Sequence, residues 1–398
     1  MYLVTHNKYE CCGCSACLHI CSVNAISMRT DSEGFLYPQK DVSLCNNCGL
    51  CEKICPIEHP IYSNDKPAVF AAYAKDERER MRSSSGAIFY IIAKSIIARG
   101  GIVYGAILDS NLQALHIGVD TLDALDSLRG SKYVQTNLNN VFIEVKQNLI
   151  AGRLVYFTGT PCQIAGLKAF LRRSYSNLVT SDLICHGVPS QKLFDMHLKY
   201  LCDIYGGDKV VDYKFRDNKG WGGCEITTII KKKVAKLKIS PTYDLSPYLY
   251  SFMYGYTSRY SCYKCPFATL PRQGDITLAD FWGVKEFFPN LDTSKGCSLV
   301  LLNNKKGCEI WNDVQSDIFS LESNIESASK HNWNMLHYSK QPYLRARVYE
   351  SIQLNGYKQV AKTLFRSPNY WKIKVKYFCR GILGDRLVSL LKYILYKR

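Results

Sequence analysis

Two runs of four cysteines near the amino terminus share one spacing: Cys11, Cys14, Cys17 and Cys21, then Cys45, Cys48, Cys51 and Cys55, with Pro56 directly after the second run. Three closely spaced thiolates plus a fourth form the ligand pattern of a 4Fe-4S cluster, and in paired runs the fourth cysteine of each reaches across to the other cluster. One ligand set is therefore Cys11, Cys14, Cys17 and Cys55, and the other is Cys45, Cys48, Cys51 and Cys21. The crossing clamps two short segments together and keeps the clusters close enough for rapid electron transfer. A segment built this way handles single electrons.

Zinc and disulfides account for the pattern less well. Structural zinc takes four ligands, usually from two separated CxxC knuckles, and gives no reason for three close cysteines plus a fourth in each run. Ser22 stands where a proline often follows the fourth cysteine, which alters the turn but removes no ligand. Cys12 reads as a non-ligand, because counting from it breaks the spacing.

At 398 residues the chain has room for two or three domains, and its 47% hydrophobic content supports a real core. No basic start followed by a signal-length apolar stretch is present, and no apolar run reaches the roughly 18 residues needed to cross a bilayer. The expected location is the cytoplasm. In a reducing compartment, eighteen cysteines are expected to be ligands and buried thiols rather than crosslinks.

The formal net charge is +17, but each 4Fe-4S core with its four thiolates carries about −2, so two clusters lower the total by about 4. From Arg366 to Arg398, nine basic residues stand against Asp385 alone, a net of +8. In that tail Leu387, Leu390, Leu391, Ile394 and Leu395 recur at helical spacing. A helix packing on the body with a solvated basic face explains this, and so does a peripheral contact with an anionic membrane surface. Nucleic acid is not expected as a partner, since no zinc finger, RNA-recognition or helix-turn-helix signature occurs.

Residues 1–60 read as a bis-4Fe-4S ferredoxin-like domain, and the two prolines between 60 and 67 as a linker. Beyond it, helical patterns over 85–98, 138–150 and 162–171 alternate with apolar strands at 102–108 and 154–157. This predicts an α/β core over 67–320, a mixed or parallel sheet flanked by helices, and a mostly helical basic extension over 321–398. The overall class is thus a small α+β cluster domain followed by an α/β core.

Cysteines return more sparsely as Cys162, Cys185 and the pair Cys262 and Cys265. Taken alone, a CxxC with two distant thiols is compatible with a third 4Fe-4S cluster, zinc or a redox pair. With two clusters upstream, a third cluster carrying electrons inward is the expectation. The blocks SSSGA (83–87), RGSKYVQ (129–135), FTGTPCQIAGLK (157–168), DLICHGVPS (182–190), SCYKCPFA (261–268) and RQGDITLADFWG (272–283) resemble the coenzyme F(420) hydrogenase/dehydrogenase beta-subunit family. The resemblance covers roughly residues 1–310 and implies a flavin-binding core, with FAD between iron-sulfur clusters and a reducible substrate such as a deazaflavin. Ala87 and Ala279 depart from it where glycine is usual, and a methyl group there narrows a pocket or opposes a positive φ.

Under that resemblance Ser84, Ser85 and Gly86, ahead of a helix, are candidates to bind a pyrophosphate, although an ordinary serine cap looks the same. Ser131, Lys132 and Tyr133 are candidates on a neighbouring turn, with Lys132 placed to stabilise a reduced flavin. Thr158 and Thr160 sit at a strand end as further cofactor contacts. His186 is a candidate proton donor, because imidazole titrates near neutrality, and equally a histidine hydrogen-bonded beside a ligand cysteine. Neither GxGxxG after a strand nor a P-loop occurs, so a nicotinamide is not expected as direct donor. The expected flow runs from a ferredoxin-like donor through the clusters to FAD and a small-molecule acceptor, a deazaflavin or a compound of a sugar or cell-envelope pathway. An electron-transfer subunit serving a separate catalytic partner, or a redox sensor without turnover, would carry the same cysteines.

Overall fold

A computed structural model describes residues 1–60, 66–217, 225–231, 236–239 and 242–376. In the cluster module, helix α1 (Ala16–Ile20) precedes a hairpin of β1 (Ile26–Thr30) and β2 (Leu36–Lys40), and α2 (Leu50–Lys53) follows. Each helix starts one residue after a left-handed residue, Ser15 at φ 62° and Gly49 at φ 70°, which itself follows the second cysteine of its run. The duplicated spacing is thus a duplicated backbone turn. The two helices pack on each other.

The core is an eight-stranded mixed sheet. Its strands are β3 (Ala68–Ala74), β4 (Ile102–Leu108), β5 (Ala114–Val119), β6 (Val155–Thr158) and β7 (Leu178–Leu183), joined later by three more. A separate antiparallel sheet of β8 (Lys209–Asp217), β9 (Glu225–Lys231) and β10 (Lys236–Ile239) intervenes before β11 (Ile276–Asp280), β12 (Ser298–Leu302) and β13 (Ile318–Ser323). The order is β13-β3-β12-β11-β7-β6-β4-β5. Four central strands, β4, β6, β7 and β11, run parallel, and antiparallel strands close both edges. The sheet is therefore mixed, as its alternating pattern predicts. Strands such as β12, four of whose five residues are apolar, are buried on both faces, which is what central strands require.

Helices α3 (Ile88–Ala98), α4 (Val141–Ile150) and α5 (Pro161–Leu171) cover the sheet. The first begins three residues later than its apolar period suggests, because Ala87 takes a left-handed conformation at φ 67°. Alanine occupies there the backbone region that glycine enters without a steric penalty. Ala279, by contrast, lies within strand β11, where a methyl group is unremarkable. Helix α6 (Gln191–Tyr205) and helix α7 (Arg345–Thr363) pack with the small sheet around Phe194, Phe215, Tyr248 and Val348. The amphipathic pattern at Leu387–Leu395 lies outside the described residues. Among those described, no helix is long and apolar enough to cross a membrane.

The cluster module is fixed to the core from two sides. Glu33, in the β1–β2 turn, forms a bidentate pair with the fully buried Arg345 of α7 at 3.0 and 2.6 Å. On the other side α1 packs on α5, where Gly166 lies so close to Cys14 that an added Cβ would stand 2.6 Å from its Cβ and 3.0 Å from its Sγ. Alanine in a helix interior normally gains about 1 kcal/mol over glycine. Here overpacking against Cys14 costs about 1–3 kcal/mol instead. Gly166→Ala is expected to lower the chemical-denaturation midpoint and reduce bound iron, a result that iron analysis beside an unfolding curve will check.

Candidate functional site

Strands β6 and β7 are parallel neighbours, with Thr158 opposite Ser181. Cys162 follows the first and Cys185 the second, so two thiols distant in sequence emerge side by side at the carboxyl edge, where ligands of such sheets bind. The start of α5 is fixed by a capping box. Pro161 occupies its first turn, and Gln163 Oε1 accepts hydrogen bonds from Thr160 N at 2.9 Å and Thr160 Oγ1 at 3.1 Å. Cys262 and Cys265 arrive on a short helical turn that spans Tyr260–Lys264 and ends at Cys265.

All four thiols line one cavity of about 560 Å³ of empty space, part of it open to solvent, together with Cys12, Arg259 and Arg272. Burial pushes Cys185 and Cys265 up to about 12, with the neighbouring Cys162 thiol adding to both shifts. Cys262 is raised as well, again by burial first. These thiols hold their protons near neutrality until a metal displaces them.

A second cavity is lined by Cys11, Cys14, Cys17 and Cys55, the set expected from the crossed ligation. Cys12 and Ile57 line both cavities and so form part of the wall between them. The Cys12 thiol contacts Cys14 on one side and Cys162 on the other. Cys21, Cys45 and Cys51 are half-buried and Cys48 is exposed, whereas Cys11 and Cys14 are buried. Cys21 Sγ accepts from Ala25 N at 3.2 Å and Cys45 Sγ from Asn47 N at 3.4 Å. Cys51 lies close enough to Cys17 to raise its pKa, which sets the outer run beside the inner one. Among the described residues, no group of three or more His, Cys, Asp or Glu side chains is arranged to hold a single metal ion. The thiols surround voids instead.

The residues assigned to a flavin divide into two groups. Ser131 N donates to Ser84 Oγ at 3.0 Å, which brings the 83–86 and 129–133 loops together. Lys132 Nζ donates to the carbonyls of Ser127 at 3.0 Å and Arg129 at 2.7 Å, and burial lowers its pKa to about 7. Other polar groups serve the fold. Ser85 Oγ donates to Cys297 O, Gly86 N to Ser298 Oγ, and Thr158 Oγ1 to Tyr104 O, at 3.0, 2.9 and 3.0 Å. Thr160 is held in the capping box, and the Tyr133 carbonyl accepts from Tyr248 at 2.7 Å. His186 lies beside the cysteine cavity, outside its lining; desolvation lowers its pKa, opposed by Asp280.

Three residues of this region carry no sequence signal. Cys12 breaks the ligand spacing yet stands between the cavities. Arg259 is one arginine among many in a basic chain. His116 is buried behind Thr158: its Nε2 donates to Thr158 O and its Nδ1 accepts from Thr136 Oγ1, both at 2.8 Å. Burial lowers its pKa to about 4.

Fold and thiol cavities together define an iron-sulfur electron-transfer protein. Residues 10–58 match the model of the 4Fe-4S dicluster domain, and residues 152–327 match that of the C terminus of the coenzyme F(420) hydrogenase/dehydrogenase beta subunit. The chain thus joins a segment similar to the carboxyl-terminal part of that beta subunit to a dicluster domain at its amino end. A ferredoxin of Saccharopolyspora erythraea is 38% identical over 60 residues, 15% of this chain, and the match spans about half (52%) of that ferredoxin. A chain of the F(420)-reducing [NiFe] hydrogenase complex from Methanosarcina barkeri superposes with a TM-score of 0.45 at 15% identity, covering 76% of this chain and 94% of that one.

Two measurements test this geometry. A cluster on the four core thiols predicts that Cys185→Ser lowers iron by about 4 per chain, whereas Cys12→Ser leaves iron content unchanged. For His116, the unfolded state binds more protons below its ordinary pKa of 6.5, so stability falls as pH drops from there toward about 4. Between pH 7 and 5 this residue's share of the loss is about 2 kcal/mol. In denaturant titrations the difference between wild type and His116→Gln changes by that amount.

Proposed function

We propose that this chain carries electrons inward from a ferredoxin-like donor to an organic acceptor, through three 4Fe-4S clusters held by its twelve paired and core cysteines. The shared wall between the inner cavity of the cluster module and the core cavity supports this most directly: Cys12 touches a thiol of each. The exposed Cys48 side suits entry of electrons, and the buried Cys11 and Cys14 side suits delivery to Cys162, Cys185, Cys262 and Cys265.

The cofactor that fits the far end of this route is FAD, held by the Ser84 and Ser131 loops beside Lys132. When bound, it joins one-electron supply to two-electron reduction, so one substrate molecule consumes two donor electrons and two protons. Around it, Lys132 is poised to titrate near neutrality, and its ammonium form stabilises negative charge that builds in the site. His186 supplies or receives the proton at its imidazole nitrogen. Gly86, Thr158 and Thr160 act by holding the loops and the α5 start in place. The acceptor is a deazaflavin or a sugar or cell-envelope intermediate.

Anaerobically purified protein is expected to contain about 12 iron and about 12 sulfide per chain, with FAD released by acid. Turnover of a small acceptor by the isolated chain with dithionite supports an enzyme with its own substrate site. Reduction only after a second protein is added assigns the chain to a larger complex. Zinc in place of iron, or iron without flavin, removes the basis of the scheme.

A further inference from the structure

Among the described residues four arginines are buried: Arg80, Arg259, Arg272 and Arg345. Three of them meet a carboxylate, Arg80 with Asp292 at 3.0 Å, Arg272 with Asp182 at 3.5 Å and Arg345 with Glu33 at 2.6 Å. Arg259, at 0% exposure, has no carboxylate partner among the described residues. Its Nε donates to Cys11 O at 2.6 Å, and its Nη2 donates to Leu36 O at 2.8 Å and Cys11 Sγ at 3.4 Å. Its Nη1 donates to Gln135 Oε1 at 3.3 Å, and Gln135 Nε2 in turn donates to Cys12 O at 2.9 Å. The guanidinium also lies over the Tyr37 ring, 4.1 Å from its centroid.

A buried charge is normally paired, because burial without a counter-charge is costly. The ionisable groups around Arg259 are thiols, Cys11 and Cys12 on one side and Cys262 on the other, with the Tyr37 hydroxyl. Arg259 also lines the core cavity. Gly13 keeps the cysteine loop on top of it: with φ +72°, an added Cβ there would stand 2.9 Å from both Arg259 Nη1 and Gln135 Nε2. Each cluster with its thiolates carries a net negative charge, and one more on reduction. The missing carboxylate is thus replaced by two anions that exist only when the cavities are loaded.

We propose that Arg259 is a positioning residue, the buried counter-cation shared by the Cys11 cluster and the core cluster, which favours their reduced states and so raises both reduction potentials. This rests on the three-cluster reading above. The outer ligand set of Cys45, Cys48, Cys51 and Cys21 contributes none of the hydrogen-bond partners of Arg259 and serves as the internal reference. A positive charge at the wall makes the two inner clusters the favoured resting place of an incoming electron.

The test is an EPR-monitored redox titration of the full chain, purified without oxygen, as wild type, Arg259→Met and Arg259→Lys. In Arg259→Met the potentials of two clusters are expected to fall while the third stays at its wild-type value. Arg259→Lys, which keeps the charge, stays closer to wild type on both. Loading with iron and sulfide also raises the unfolding midpoint by less in Arg259→Met than in wild type. Unmoved potentials with full iron, an equal shift of all three, or a Lys variant that falls as far as Met would each overturn the proposal. If the Met variant assembles no inner clusters, the Lys variant decides: inner clusters at near wild-type potentials support the shared cation, and their loss overturns it. Wild-type protein without cluster signals refutes the three-cluster reading itself, which is a distinct result.

Discussion

The contact between Gly166 and Cys14 sets the distance on which the rest of the molecule depends. Helix α5 carries Cys162 at its start and Gly166 one turn later, so the same helix presents a thiol to the core cavity and a bare backbone to the cluster module. Because nothing projects from position 166, the loop from Cys11 to Cys17 comes down onto the sheet's carboxyl edge. Cys12 can then touch Cys162. Electron transfer depends steeply on separation, and one methyl group at this place changes the separation directly.

The second constraint is topological. The parallel pairing of β6 and β7 brings Cys162 and Cys185 together, and the turn after Arg259 adds Cys262 and Cys265. Sequence distance says nothing of this proximity. Strand register does, since neighbouring parallel strands end at the same edge and their following loops share one surface.

The cysteine runs were legible in the sequence because cluster ligation demands a fixed spacing, and Cys55 indeed lines the cavity of the first run. The α/β core was legible from its change of hydrophobic period, including α4, α5 and the strands around Leu108 and Phe157. Other features were not. Cys12 has the same letter as its neighbours and no spacing, and only tertiary contact with Cys162 and Cys14 gives it a place. Arg259 is marked by what is missing around it among the described residues, a carboxylate, and a partner's absence leaves no trace in a linear pattern. The serine run at 83–85 reads equally as a phosphate cradle or a helix cap. In the fold Ser85 and Gly86 are tied to Cys297 and Ser298, while Ser84 faces the 129–133 loop. Ala87 shows why the start of α3 was misjudged: the apolar period continues through a residue whose φ is positive.

The gradient of exposure from Cys48 to Cys11 orders how dioxygen meets the protein. An oxidant approaching the amino-terminal module meets the exposed Cys48 before the buried Cys11 and Cys14, so thiol-modifying reagents grade that module from its outer run to its inner one.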